Sequence, residues 1–381
     1  MKSLDLFVFV DALGWEIVSR RPFLRDILPR QSRCETVFGY SSACDPTILT
    51  GAPPVEHGHF SCFVKAQGKS PFAGMRGWGW APQRIAGHHR LRHHLSRLVA
   101  RRHGFTGYFQ LYSVPFRCLP YLDYTEKWDI YEPNGILGGQ ETVFAAWERS
   151  GRPWMRSDWR KGDRENIAEV RAVIGEGEVE LIYLFTAGPD AAMHRYGVDA
   201  PESRALIEKL EGSIRELWEE AKRRYGRVRI SVFSDHGMCD TRSGSDLFRR
   251  WATLGLRYGR DYVAVWDSTM ARFWFGAEEV RRQALGWLHD QPDGAVVDDA
   301  SLARWGCLFP DRRYGEVFYL LPAGSLFVPS FMNQSWVKAM HGYDPDHPDS
   351  AAAWLTNAEG LPVPRSLGEI AGVMRAAAGG T

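Results

Sequence analysis

The sequence predicts an α/β protein in which a central, mostly parallel sheet is sandwiched by helices and carries two insertions. Three observations lead to this reading. Residues 6–10, 181–185 and 228–233 are short apolar runs rich in Val, Ile and Phe, without the strict alternation of a half-exposed strand. Such runs suit strands buried on both faces. Between the second and third, Leu206, Leu210, Ile214, Leu217, Trp218 and Ala221 recur at spacings of three and four, predicting a helix over 201–225 with Gly226 as its cap. Strand, helix, strand is the βαβ unit of an open α/β sheet.

The remaining elements follow in chain order. Residues 60–159 are aromatic, basic and rich in Gly and Pro, and are expected to form a lid-like insertion. Residues 243–331 are expected to form a small α+β subdomain, with strands at 262–266, 270–275 and 317–321 and a helix near 278–288. Ser366 and Glu369 are spaced as a capping box before a helix carrying Leu367, Ile370, Val373 and Met374. The whole chain, 1–381, reads as one catalytic domain bearing these insertions.

Composition bounds the function. The 47 Lys+Arg and 46 Asp+Glu leave a net charge of +1, which argues against a dominant electrostatic footprint for nucleic acid or acidic membrane. No apolar stretch is long enough to span a membrane. The first apolar run ends at Asp11 and is too short for a secretory signal. Six scattered cysteines without a CxxC pair suggest reduced, mostly buried thiols. A cytoplasmic location, a small-molecule substrate and no nucleic-acid polymer are therefore expected; oligomeric state is not legible.

Each predicted strand is followed by an aspartate, namely Asp11, Asp190 and Asp235. In open parallel sheets, ligands bind at the carboxyl ends of strands. Asp190 and His194 are one helical turn apart, Asp235 adjoins His236 in an SDHG segment, and His341 opens a later HGYD. Carboxylate with imidazole is the donor mix of zinc and related divalent ions. So many of these side chains near strand ends exceed what one catalytic ion needs and suit a pair of ions acting on a phosphoryl group. Ser41 and Ser42 supply adjacent hydroxyls at a turn before a helix, where the dipole favours an anion or an ionised nucleophile.

The order Asp11, then SSACDPTILTG (41–51), His57-Gly58, PDAAMHRYG (189–197), SDHG (234–237) and HGYD (341–344) resembles the alkaline phosphatase superfamily, and most closely its nucleotide pyrophosphatase/phosphodiesterase branch. The resemblance implies one metal held by Asp190, His194 and His341. It implies a second held by Asp11, Asp235 and His236, with Ser41 as the nucleophile and a further ligand. Ser41 lies ten residues before the Gly of the LTG motif, and Ser42 is the fallback. The implied enzyme is a two-metal hydrolase of phosphoric esters, working through a phosphoseryl intermediate. Zinc is the first choice of cofactor, with manganese or iron as alternatives. A phosphodiesterase or pyrophosphatase is favoured over a phosphomonoesterase or a phosphotransferase acting on a sugar or lipid head group.

The chain also departs from the pattern. The resemblance leads one to expect an Asn donor to the phosphate three residues after the nucleophile, where this chain has Cys44. Ala339-Met340 replace the usual Gly-Ser before the last histidine ligand. Sulfatases are disfavoured because Ile48 stands where their CxPxR segment has Arg, and because Asp11 is followed by Ala12. Four further features are weighed. The histidine- and arginine-rich run 88–94 could suggest a metal or polyanion site, and reads by preference as a solvated helix face. His57 reads as supporting structure. Arg272 could reach a phosphate or form a surface ion pair. Phe60, Phe63, Phe72, Trp78 and Trp80 could line a cleft or fill a core.

Overall fold

A computed structural model describes residues 2–78 and 88–379. The central sheet has six strands, in the order Arg30–Cys34, Ala352–Thr356, Arg227–Phe233, Ser3–Val10, Leu181–Thr186, Trp154–Arg156. The last four pair in parallel, whereas Ala352–Thr356 runs antiparallel to both of its neighbours. The three strands anticipated from their apolar runs are thus adjacent, at the centre. Val10 pairs with Thr186 and Phe9 with Phe233, so the residues that follow all three emerge on one edge.

Alternation along these strands builds two cores. Leu4, Leu6, Val8, Val10, Ile182, Leu184, Ile230 and Val232 face one layer of helices, Asp163–Glu176 and Pro201–Arg224. Phe7, Phe9, Tyr183, Phe233 and Trp354 face the other, formed by Ser41–Thr50, Val143–Ser150 and Leu367–Ala377. The 201–224 helix ends on extended Tyr225, one residue before the glycine expected to cap it. The capping box also differs. Ser366 is the N-cap but makes no side-chain cap bond, and the Glu369 carboxylate reaches back to the amide of Arg365.

The first predicted insertion, 60–159, ends earlier than expected, because Val143–Ser150 packs on the central sheet and Trp154–Arg156 pairs within it; the stretch before them shares one hydrophobic core with the second. In the first, Phe63–Lys65 pairs antiparallel with Leu122–Tyr124, beside a helix, His89–His103. In the second, an antiparallel sheet is ordered Tyr262–Trp266, Met270–Phe275, Val317–Leu320, Ala295–Val297. Phe63, Phe72, Leu111 and Phe116 of the first pack in one cluster with Val263, Trp266, Phe273 and Tyr319 of the second. We call the joint unit the cap. Arg272 is neither a phosphate ligand nor a surface residue. It is fully buried, with Nε 2.9 Å from Asp267 Oδ2, Nη1 donating to the Tyr314 carbonyl and Nη2 donating to Ser61 Oγ at 2.7 Å. Phe60, Phe63 and Phe72 are buried core residues, Trp78 is 48% exposed, and Trp80 lies outside the described residues. No helix among the described residues is long and apolar enough to cross a membrane.

Candidate active site

The sheet delivers the site. Asp11 follows the first strand directly. Asp235 follows the 227–233 strand after one residue, and its Oδ1 accepts from the Ala12 amide at 3.2 Å. Ala12 has φ +63°, a left-handed conformation that an alanine adopts only at a cost, and such strain gathers at functional sites. Gly237 is required for a different reason from the tight turn its motif suggests. A Cβ there would run into the carbonyl oxygen of Asp349, so the glycine lets two backbones pass.

Asp190 and His194 lie one turn apart on the helix Gly188–Tyr196. The Asp163 carboxylate fastens the start of that helix by accepting from the amides of Ala187 and Gly188, both at 2.9 Å. His194 Nε2 lies 3.1 Å from Asp190 Oδ1, and His341 Nε2 lies 3.7 Å from the same oxygen. His236 Nε2 lies 3.0 Å from Asp235 Oδ2 and 3.6 Å from Asp11 Oδ1. The Nδ1 atoms of His194 and His236 donate to the carbonyls of Ala339 and Gly237 at 2.8 and 2.9 Å. Those bonds fix the tautomer and leave each Nε2 lone pair facing the carboxylates, as a metal ligand requires.

The two trios adjoin, since the His236 and His341 rings stack with centroids 3.7 Å apart. Within each trio, one ligand atom per residue lies within 4.8 Å of the others. Asp11 Oδ1, Asp190 Oδ1, Asp235 Oδ2 and His341 Nδ1 are buried without a hydrogen-bond partner. Buried polar atoms ordinarily find partners, so these exceptions call for an ionic one. Electrostatics agree. Burial and the neighbouring Asp235 push the Asp11 carboxyl well above the ordinary carboxylate range. Burial, together with His236 and His194, drives His341 well below the usual imidazole range. Burial lowers His194 and His236 as well, but the Asp190 and Asp235 carboxylates beside them raise both overall; clustered carboxylates and imidazoles fit divalent cations.

Ser41 opens the helix Ser41–Thr50, and its Oγ lies 3.1 Å from His236 Nε2. Ser42 Oγ turns the other way and donates to the Phe60 carbonyl at 3.2 Å. The Ala43 and Cys44 amides are spent on the Tyr40 carbonyl, which leaves the amides of Ser41 and Ser42 at the helix start. Cys44 does not face this site. It is 1% exposed, 3.6 Å from Thr36 Oγ1, and packs with Phe9 and Ile48, so a side chain at this position points into the core rather than at a phosphate. His57 is buried and bonded to Thr47 Oγ1 at 2.9 Å, the supporting role its sequence context suggests.

Sequence reasoning missed the cap's contribution. Pairing of 63–65 with 122–124 brings Glu126 against the start of the helix Ser41–Thr50, where it accepts from Cys62 Sγ at 3.7 Å and meets the Ser42 hydroxyl. Burial pushes its carboxyl up to about 7, against the opposing pull of those two bonds. Tyr108 and Tyr112, joined through their hydroxyls at 3.1 Å, stand beside it. A lone acid in YTEKWD has no local signal. Only the hairpin pairing reveals it.

Comparison with known proteins agrees with this geometry. Murine ectonucleotide pyrophosphatase / phosphodiesterase 5, in an inactive form in complex with AMP, superposes with a TM-score of 0.69 at 14% identity, over all of this chain and 96% of that one. The human counterpart matches equally well at 13% identity. At these identities the likeness shows the fold. Human ectonucleotide pyrophosphatase/phosphodiesterase family member 7 is 34% identical over 85 residues, 21% of this chain. The match spans about a fifth (19%) of that relative's length. Residues 6–344 match the type I phosphodiesterase / nucleotide pyrophosphatase family. The chain, with its α/β sheet and its paired Asp/His trios at the strand ends, belongs to that metal-dependent family of phosphoric ester hydrolases.

Proposed function

We propose that this chain hydrolyses a phosphodiester or pyrophosphate bond in a small molecule, with Ser41 as nucleophile. The observation that carries this reading is the position of Ser41 Oγ, at the amino end of a helix, within 3.1 Å of His236 and beside both carboxylate–imidazole trios. Asp190, His194 and His341 would hold one divalent ion, and Asp11, Asp235 and His236, with Ser41, the other. Zinc is the first choice for both, and manganese or iron the alternatives. When bound, such ions supply Lewis-acid stabilisation of charge developing on the phosphoryl oxygens.

The chain's own groups set up the displacement. The Ser41 and Ser42 amides and the helix dipole favour the anionic phosphate at the helix start. Ser41 Oγ gives up its proton to solvent and forms its bond to phosphorus as the bond to the leaving alcohol or phosphate breaks, the departing oxygen taking a proton from solvent; water then cleaves the phosphoseryl ester and restores the serine hydroxyl. Arg272, the one arginine weighed as a phosphate clamp, is committed to Asp267. A buried carboxyl, Glu126, stands at the same helix start. The commitment of Arg272 favours a monoanionic diester over a dianionic monoester. The six unpaired cysteines support a reducing, cytoplasmic setting.

The test compares bis(4-nitrophenyl) phosphate, a nucleotide 4-nitrophenyl ester and 4-nitrophenyl phosphate on metal-replete protein. Faster turnover of the two diesters is expected. A monoester rate orders of magnitude above both would overturn the diesterase reading. Product that forms only with added alcohol would mark a transferase instead.

A further inference from the structure

The net charge of +1 hides a segregation. Between Glu56 and Asp123 the chain has no Asp or Glu over 66 residues, yet that stretch holds ten Lys and Arg. The remainder is left with 37 basic against 46 acidic residues. Random mixing at this composition would put several acids in so long a stretch. The near-neutral total therefore does not exclude an acidic partner for the cap.

The helix His89–His103 organises this charge. Its inner face is given by Leu95, Ser96 and Val99, with Arg92 laid over the Phe116 ring at 4.0 Å and Ser96 Oγ accepting from the Leu111 amide. Its outer face, about 100° per residue around the axis, carries Arg90, His94, Arg97, Leu98, Arg101 and Arg102, all exposed. No ion pair among the described residues involves these four arginines, and Leu98 is 63% exposed in their midst. Trp78, 48% exposed, packs edge-on against the same Phe116 and flanks the helix. A solvated face gains nothing from an exposed leucine and tryptophan set among unpaired arginines. An interfacial helix needs both, arginines for anionic headgroups and apolar groups for the acyl boundary.

We propose that the outer face of the cap docks on an anionic lipid bilayer through Arg90, Arg97, Arg101 and Arg102, with Leu98 inserted between them. A polyanionic polymer would satisfy the arginines but leave Leu98 and Trp78 without a partner, so the bilayer is the better fit. The helix lies about 22 Å along the surface.

The experiment is vesicle sedimentation of the full chain, with phosphatidylcholine vesicles and with vesicles about a third phosphatidylglycerol. The wild type is expected to pellet with the second and not the first, and to be released as salt is raised. The variant R97E/R101E/R102E should bind about a hundredfold more weakly, at roughly fivefold per lost arginine before counting repulsion. Leu98→Ser should bind roughly tenfold more weakly. Leu98→Ser should melt at the wild-type temperature because its side chain is exposed, and the triple variant a few degrees lower, because Arg101 and Arg102 lie in the last helical turn, where the dipole favours cations. Absence of wild-type pelleting with anionic vesicles overturns the proposal, as does a triple variant that binds like wild type. Arginine-dependent binding to a polynucleotide without vesicle binding would also overturn it, assigning the face to nucleic acid. None of these readouts depends on turnover, so they stand apart from the catalytic reading.

Discussion

Two regions of this molecule treat charge in opposite ways. At the carboxyl edge of the sheet, three aspartates are drawn together in a buried site and left with orphaned oxygens facing imidazoles. In the cap, ten basic residues are strung along a stretch with no acid, and four of the five arginines on its main helix are exposed. In the first region like charges are held close by burial and wait for cations. In the second they are spread over a surface and wait for anions. A single net charge averages the two and conceals both, so local concentration is the quantity that carries functional information.

The comparison breaks most sharply at Ser41, the proposed nucleophile. Ser41→Ala is expected to lower turnover of a diester by on the order of a thousandfold or more, whereas Ser42→Ala should cost about tenfold or less, because Ser42 faces Phe60 and Glu126. Steady-state kinetics on both variants check this, and the reverse order would move the nucleophile to Ser42. A smaller effect falls on the seam between the regions. Arg272→Ala strips the buried Asp267 of its partner and should destabilise the chain by about 3–5 kcal/mol in urea unfolding. Replacing both partners with apolar residues should recover most of that loss, since the pair is costly to bury as well as costly to break.

The smallest effect sharpens the cap's role at the site. Because the Glu126 carboxyl is raised from 4.5 to about 7 in the fold, its contribution to stability is complete below pH 4.5 and is lost as pH rises through 7. Thermal melts between pH 5 and 8 should show the wild type losing up to about 3 kcal/mol relative to Glu126→Gln across that window. Parallel pH profiles for the two would show that Glu126 is not held in its neutral form.

Much of the body was legible in the chain because its strands are buried on both faces and so read as plain apolar runs, with their aspartates marking the functional edge. The Asp/His trios were legible because chemistry fixes residue type and spacing together. Other parts carry no such signature. Trp154–Arg156 is three residues long, too short for periodicity to register. Ala352–Thr356 is alanine-rich and has no intrinsic preference for a strand; the sheet imposes one. Arg30–Cys34, RQSRC, is polar because it lies at the sheet's edge. Glu126 reaches the helix Ser41–Thr50 through a pairing of strands some sixty residues apart, which no local window can see.

The place of Ala352–Thr356, wedged between Arg30–Cys34 and Arg227–Phe233, has a bearing on how the protein is made. A ribosome that has released the first three hundred residues has delivered every parallel strand, but not the antiparallel one that ties Arg30–Cys34 to them. Until residue 356 clears the exit tunnel, the nascent sheet keeps an open flank along Arg227–Phe233. His341 is translated only shortly before that closing strand, so the last imidazole and the seal on the sheet reach the growing protein together.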